Sequence, residues 1–114
     1  MENTYEIQIS AKKELHSCIN DILEFHATSS SENTWYYSVI EKEGDEYYDF
    51  INNFLNMLEG RYEKLSQIGI GREDIIIWHI YVHDGQCNLE FDPQRMKKLG
   101  EKGISLCVSC YHEN

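Results

Sequence analysis

No long hydrophobic run occurs in this sequence of 114 residues. The longest strongly apolar stretch covers residues 75–78, whereas a helix that crosses a membrane needs about 20 apolar residues. The first residues, 1–5, include neither a basic segment nor an apolar segment, so a secretory signal is not indicated. These absences predict a cytoplasmic protein.

Basic residues are scarce. The chain has 10 Lys and Arg against 20 Asp and Glu, and its formal net charge is −10 at pH 7. Nucleic acids and anionic membranes repel such a surface, so neither is expected as a partner. The same charge keeps a protein in solution and steers it towards a basic partner. Composition leaves the oligomeric state undecided.

The sequence has one Cys-x-x-Cys motif, at Cys107 and Cys110, and no second one. Residues three apart on a strand point to opposite faces, so this pair is not expected to form a zinc knuckle. It also lacks the helix N-terminus that stabilises a redox-active thiolate. Together with Cys18 and Cys87, these residues are expected to be free thiols in a reducing compartment.

Two histidines, His79 and His83, lie on one face of a predicted strand. Four residues of strand separate them by about 13 Å, which is too far for both to bind one metal ion. Either could join Cys107 or His112 from a neighbouring strand, but surface or partly buried histidines are the simpler interpretation. Neither a metal nor another cofactor is therefore expected.

Motifs that indicate catalysis are absent as well. The stretch Gly69-Ile70-Gly71 lacks the rest of a phosphate-binding loop. A Cys107–His79 pair would have no recognisable oxyanion hole, and the carboxylates form no acid–base motif. The sequence thus favours a protein that is not an enzyme.

What the chain does have is enough apolar material for a core. Hydrophobic residues make up 41% and aromatic residues 12%. A chain of this length buries roughly two-thirds of the surface that it exposes when unfolded. We therefore expect one domain, residues 1–114, that needs no disulfide or metal for its stability.

Hydrophobic periodicity predicts most of the secondary structure. Alternation predicts strands at residues 4–9, 35–40, 74–83 and 104–111. Helical spacing predicts a helix at 11–26 and a long helical region at 45–68, which Gly60 breaks or kinks. The polar residues 28–33 are expected to form a loop.

A hairpin is predicted at Asp84-Gly85, because this dipeptide tolerates the positive φ that both positions of a type I′ turn need. The return strand would place Cys87, Leu89 and Phe91 inward.

Asp92-Pro93 then has the form of a helix start, and Gly103 can end that helix. The predicted order of elements is β-α-β-α-β-β-α-β. Such a chain is expected to form an α+β fold, in which a mixed or antiparallel sheet carries helices mainly on one face.

Residues 78–93 read WHIYVHDGQCNLEFDP, in which a strand, a tight turn and a short strand lead into a helix start. Together with the Trp35 strand and a last strand ending at Tyr111, this pattern resembles a family of small bacterial α+β domains of unknown function. The resemblance covers about residues 34–111 and concerns structure, so it assigns no functional residue. Domains of this kind are often encoded among toxin and immunity genes, which implies an immunity role.

Negative charge is unevenly distributed along the chain. Residues 14–60 contain ten acids and one base, Lys42. The tightest acidic cluster and its two aromatic neighbours are Glu41, Glu43, Asp45, Glu46, Tyr47, Tyr48 and Asp49. Acids near a helix N-terminus interact favourably with its dipole and aid solubility. They could equally form a face that mimics phosphate and binds a basic partner, with the tyrosines as anchors.

Besides a metal or redox protein that uses the cysteines and histidines, two functions are compatible with these observations. The first is a protein-binding domain, an immunity or inhibitor protein whose acidic face neutralises a basic bacterial toxin such as a nuclease. The alternative is a small-ligand-binding or regulatory domain, with a pocket lined by Trp35, Tyr37, Trp78 and Tyr81. The first is favoured, because it requires no catalytic group and uses the acidic cluster.

Overall fold

The computed structural model describes residues 2–112. Within that range the chain forms a five-stranded mixed sheet and four α-helices, which is an α+β fold. The elements in chain order are β1 (Glu2–Ser10), α1 (His16–Leu23), β2 (Ser29–Ser30), β3 (Thr34–Lys42), α2 (Phe50–Leu58), α3 (Tyr62–Gln67), β4 (Ile75–His83), α4 (Pro93–Lys102) and β5 (Ser105–His112). None of the helices in this part of the chain is long and apolar enough to cross a membrane.

Strand β1 lies at the centre of the sheet, whose order is β2-β3-β1-β4-β5. It pairs antiparallel with β3 on one side and with β4 on the other. β4 pairs parallel with β5, and the connection between these two strands contains α4. The predicted mixed sheet is therefore confirmed.

One face of the sheet holds the core. Tyr5, Ile7 and Ile9 alternate along β1 and are buried, as a period of two requires. Their neighbours Trp35 on β3 and Ile77 on β4 are buried on the same face. Apolar side chains from all four helices join this cluster, so the helices pack against this face. Burial of apolar surface, at about 25 cal/mol per Å², makes the cluster the main source of stability.

The predicted hairpin at Asp84-Gly85 is wrong. Residues 87–91 form no strand, and the segment between β4 and α4 is irregular. The return strand does not form because β4 is already paired with β1 on one edge and with β5 on the other. A return strand beside β4 has no free edge to bind, whatever the local turn preference.

The order of helices and short strands also differs from the prediction. The long helical region at 45–68 is two helices, α2 and α3, separated at Gly60. Gly60 has a φ of +77°, a conformation that glycine adopts at little cost. Residues 28–33, expected to be a loop, contain the two-residue strand β2, and α1 is shorter than the predicted 11–26. The observed order is β-α-β-β-α-α-β-α-β.

The predicted limits of α4 are confirmed. The Asp92 carboxylate accepts a hydrogen bond from the Arg95 backbone N–H at 3.1 Å, and Pro93 occupies the first turn. Gly103 ends the helix with a φ of +70°. Arg95 therefore lies in the first turn of α4, where its side chain reaches Asp49 at the start of α2.

Candidate functional site

Glu41, a predicted partner-binding residue, forms hydrogen bonds within the protein. Its carboxylate accepts hydrogen bonds from the Tyr48 backbone N–H at 2.6 Å, the Tyr5 hydroxyl at 3.1 Å and the Asn3 amide at 3.3 Å. Burial, and then the Glu41 charge, raise the pKa of Tyr5, which stays a neutral donor. These hydrogen bonds of Glu41 therefore hold the end of β3 close to the start of α2.

Asp49, another predicted partner-binding residue, is also engaged internally. It caps α2 and accepts two hydrogen bonds from the Arg95 guanidinium, at 3.0 and 2.9 Å. Arg95 also donates to Asp92 at 2.9 Å. The bonds from Arg95 are the chief cause that lowers the pKa of Asp49 to about 2. Asp49 thus joins α2 to α4 as a structural ion pair.

Arg95 was not predicted from the sequence, although a signal was present. It stands three residues after the helix cap Asp92, where the positive end of the helix dipole disfavours a cation. A basic residue in that position indicates an acidic partner nearby. The sequence does not show that the second partner, Asp49, lies 46 residues away.

The residues between these two anchors form an exposed loop, residues 43–47, which we call the acidic loop. Glu43, Asp45 and Glu46 are exposed, and 62% of Tyr47 is exposed. Asp45 accepts a hydrogen bond from the Lys42 backbone N–H at 2.8 Å, which closes the turn. Tyr48, by contrast, is half-buried, and burial raises its pKa.

A cavity of about 250 Å³ lies beside the acidic loop. Three carboxylate residues, Glu41, Glu43 and Asp45, line it together with the ring of Tyr81. Lys42 is the cation among its lining residues. The cavity combines negative charge with an aromatic wall, which suits a cationic side chain from another molecule.

The other acids of residues 14–60 do not extend this surface. In the register of β1 and β3, Lys42 beside the acidic loop pairs with Glu2, and Thr34 pairs with Ser10. Glu14 follows Lys13, whose backbone N–H donates to the Glu32 carbonyl, and Asp21 follows Asn20, whose side chain accepts from Trp35. Trp35 lies about 23 Å along β3 from Lys42, so these acids lie towards the other end of the strand. Glu24 is paired with Arg61 and Glu59 with Lys102. The negative charge is therefore concentrated in the acidic loop and does not form one continuous face.

No family model, curated protein or solved structure matches this chain. The resemblance over residues 34–111 therefore stays a prediction, and the function has to be argued from geometry.

The aromatic pocket suggested by the sequence does not form. Trp35 lies opposite Ile9 on the core face, whereas Trp78 lies opposite Glu6 on the other face of the sheet. Trp35 is fully buried. These tryptophans therefore cannot line one pocket.

A second cavity, of about 330 Å³, does occur near the acidic loop. It lies between Phe50 of α2, His79 of β4, Arg95 of α4 and the irregular segment 88–92, and we call it the His79 cavity. His79 was predicted to be a surface or partly buried residue, but only 6% of it is exposed. Tyr47 of the acidic loop contributes to its rim.

The two cysteines of the Cys-x-x-Cys motif have different neighbours. Cys107 pairs with Trp78 and Cys110 with Tyr81, so the two cysteines point to opposite faces of the sheet as predicted. The Cys110 Sγ atom lies 2.8 Å from the Sγ atom of Cys87, and both residues are free thiols. Within residues 2–112, no three His, Cys, Asp or Glu side chains are grouped so that they could hold a metal ion.

Proposed function

We propose that this chain is a protein-binding domain without catalytic activity, and that the acidic loop is its binding surface. The partner is a basic protein, and the specific role is that of a cytoplasmic immunity protein that neutralises a bacterial toxin such as a nuclease. The observation that carries the proposal is the exposed acidic loop, held at both ends and bordered by a carboxylate-lined cavity.

Anchoring of the loop supports a binding role. Glu41 holds one end through three hydrogen bonds, and Asp49 holds the other through Arg95. A loop that is already ordered loses less conformational entropy when it binds. Among the exposed residues, Tyr47 offers an aromatic anchor of the kind that is enriched at binding hot spots.

Charge supports the same role. Glu43, Asp45 and Glu46 lie close together in a chain with a net charge of −10. Such a patch accelerates association with a basic protein, and the effect weakens as salt screens the charges. Lysine or arginine side chains of the partner would enter the cavity beside Tyr81, where cation–π attraction adds to the ionic attraction.

Charge reversal tests the proposal. Basic proteins retained by the immobilised wild-type chain at low salt are identified by mass spectrometry, purified, and used to measure association rates. We expect the double variant Glu43→Lys/Glu46→Lys to lower the association rate by about tenfold or more. Asp45 is left unchanged, because it closes the turn through Lys42.

The matched control is Glu14→Lys/Asp21→Lys. Both residues are exposed and lie next to Lys13 and Asn20, which bond to Glu32 and Trp35 away from the acidic loop. The variant has the same net charge as the test variant. It is expected to bind within about twofold of the wild type. Equal loss in the two variants would show attraction by net charge alone and would reject the acidic loop as the binding surface.

A further inference from the structure

The His79 cavity has the size and lining of a small-molecule site. Its volume of about 330 Å³ lies at the lower end of the range for such sites, which begins near 300 Å³. Its apolar lining consists of Tyr47, Phe50, Ile51, Leu89 and Phe91. The polar residues of its lining are His79, Asn88, Glu90, Asp92 and Arg95. The cavity shares Tyr47 with the acidic loop but uses none of the acids in that loop.

The neighbours of His79 determine which of its two ring nitrogens carries the hydrogen. The Glu41 carboxylate can only accept, so the amide NH₂ of Asn3 must face it, at 3.3 Å. The Asn3 carbonyl oxygen then faces the Nε2 atom of His79, at 2.8 Å. Because that oxygen can only accept, Nε2 carries the hydrogen and donates it. Burial lowers the pKa of His79, which favours the neutral ring with an unprotonated Nδ1.

The Nδ1 atom of His79 is left as an acceptor without a donor. It is buried, and no group within residues 2–112 donates to it. The ring is held by Tyr5 and Phe50, whose centroids lie 4.9 and 5.4 Å from its own. A buried acceptor without a partner is unfavourable, so a bound group with an N–H or O–H would stabilise it. Because the ring is fixed, it offers that acceptor in one orientation.

The charged residues around the cavity determine which kind of ligand with an N–H or O–H group can bind. Arg95 is already bound by Asp49 and Asp92, and these two carboxylates outweigh its single positive charge. Glu90 also lines the cavity. An anion would therefore be repelled, whereas a cation would be attracted by the carboxylates and by the faces of the aromatic rings.

We propose that the His79 cavity binds a small organic ammonium ion with an aromatic or apolar body, whose N–H donates to His79 Nδ1. The body would contact Phe50 and Phe91, and the charge would lie near Asp92 and Glu90. This binding site is separate from the protein-binding role of the acidic loop. One site can be present without the other.

Three probes of similar shape and different charge test the proposal. They are the 2-phenylethylammonium ion, the neutral 2-phenylethanol and the anion phenylacetate, titrated by calorimetry into the full chain. The ammonium ion is expected to bind saturably, the alcohol at least about tenfold more weakly, and phenylacetate not measurably. Binding of phenylacetate as tightly as the ammonium ion, or no saturable binding of any probe, would overturn the proposal.

Nuclear magnetic resonance of the ¹⁵N-labelled imidazole reports on the contact itself. Bound ammonium ion is expected to move the Nδ1 signal of His79 towards that of a protonated nitrogen, and to leave the Nε2 signal nearly unchanged. A signal that stays constant at saturating ammonium ion would show that water alone satisfies this atom, and would overturn the assignment.

Two variants locate the bound molecule. His79→Phe keeps an aromatic ring but removes the acceptor, so it is expected to weaken the binding of both the ammonium ion and the alcohol, since each donates to Nδ1. Because His79 is buried, Leu89→Ala provides a second variant at a residue that is 37% exposed and lines the cavity. It is expected to weaken binding about tenfold, whereas Met96→Ala, on α4 outside the cavity lining, keeps wild-type affinity. Equal affinity in Leu89→Ala and Met96→Ala would place the ligand elsewhere.

Discussion

At the scale of single residues, the ion pair between Asp49 and Arg95 connects two helix starts. Two hydrogen bonds of 3.0 and 2.9 Å give it the bidentate geometry that makes arginine–carboxylate pairs strong. The pair is about two-thirds buried, so solvent screens it only in part. It holds one end of the acidic loop and one edge of the His79 cavity.

The substitution Asp49→Asn is expected to lower the free energy of unfolding by about 1–2 kcal/mol at pH 7. Asparagine keeps the helix cap but loses the charge. The pKa of Asp49 is lowered from 3.8 to about 2 in the folded state, so its contribution is present above pH 4 and is lost as the pH falls towards 2. Urea unfolding of both proteins at several pH values measures this loss.

The exposed pair Lys97–Glu101 supplies the control. Its atoms are 3.8 Å apart and both side chains are mostly exposed, so Glu101→Gln is expected to change stability by less than about 0.5 kcal/mol. If the effect of Asp49→Asn stays constant between pH 7 and pH 2.5, the ion pair is not its cause.

Cys87 and Cys110 are a second pair whose behaviour can be predicted. Their Sγ atoms lie 2.8 Å apart, and Cys87 belongs to the irregular segment, which can adjust to the geometry of a disulfide. With a small oxidised disulfide, the two thiols are expected to form one bond, releasing the reagent as two thiols. The hydrogen bond to Cys110 raises the pKa of Cys87, so the reaction should be faster at alkaline pH.

Intact mass and thiol titration measure this oxidation. The protein is expected to lose two hydrogens and two of its four titratable thiols. Cys87→Ser and Cys110→Ser should each abolish the change, whereas Cys107→Ser should keep it, because Cys107 points to the other face of the sheet. A disulfide that persists in Cys87→Ser would refute the pairing.

At the scale of secondary-structure elements, the sequence pattern is reliable where the signal is local. The strands around Tyr5, Trp35 and Ile77 alternate because one face of each is buried, and the Asp92 cap acts within a single turn. The hairpin at Asp84-Gly85 fails because its outcome depends on a distant strand, β5, that occupies the edge of β4. Local turn preference cannot reveal such competition.

The glycines of the helical regions give a paired test at this scale. Gly60 has a φ of +77° between α2 and α3, and Gly100 lies within α4 without a positive φ. Apart from its immediate chain neighbours and the backbone of its own helix, a Cβ atom at either position would meet no atom within 4 Å. The two sites therefore differ in backbone conformation and not in available space.

Gly60→Ala is expected to lower the free energy of unfolding by about 1 kcal/mol, because alanine is strained at positive φ. Gly100→Ala is expected to raise it by about 0.5–1 kcal/mol, because alanine favours a helix. Chemical denaturation compares the two variants with the wild type. A stabilising effect of Gly60→Ala would mean that α2 and α3 form one continuous helix.

At the scale of the whole molecule, the candidate site is only partly predictable from sequence. Glu43, Glu46 and Tyr47 are exposed, as a binding role requires. Glu41 and Asp49 are engaged by Asn3 and Arg95, which lie 38 and 46 residues away along the chain. Only the folded chain brings these partners together, so charge density along the sequence overstates the number of acids available to a partner.

The two tryptophans lie on opposite faces of the sheet, which allows a test of the whole architecture. Trp35 is fully buried beneath the helices and donates its indole N–H to Asn20 of α1 at 2.8 Å. Trp78 is half-buried on the other face, beside Glu6. A sheet that carries helices on one face must protect one indole far better than the other.

Acrylamide quenching of fluorescence in single-tryptophan variants measures that protection. Trp78→Phe, which retains Trp35, is expected to be quenched several-fold more slowly than Trp35→Phe, which retains Trp78, because only the second indole contacts solvent. Circular dichroism first establishes that each variant is folded, since Trp35→Phe removes the hydrogen bond to Asn20. Similar quenching of two folded variants would require cover on both faces of the sheet, or on neither, and would contradict the one-sided packing of the helices.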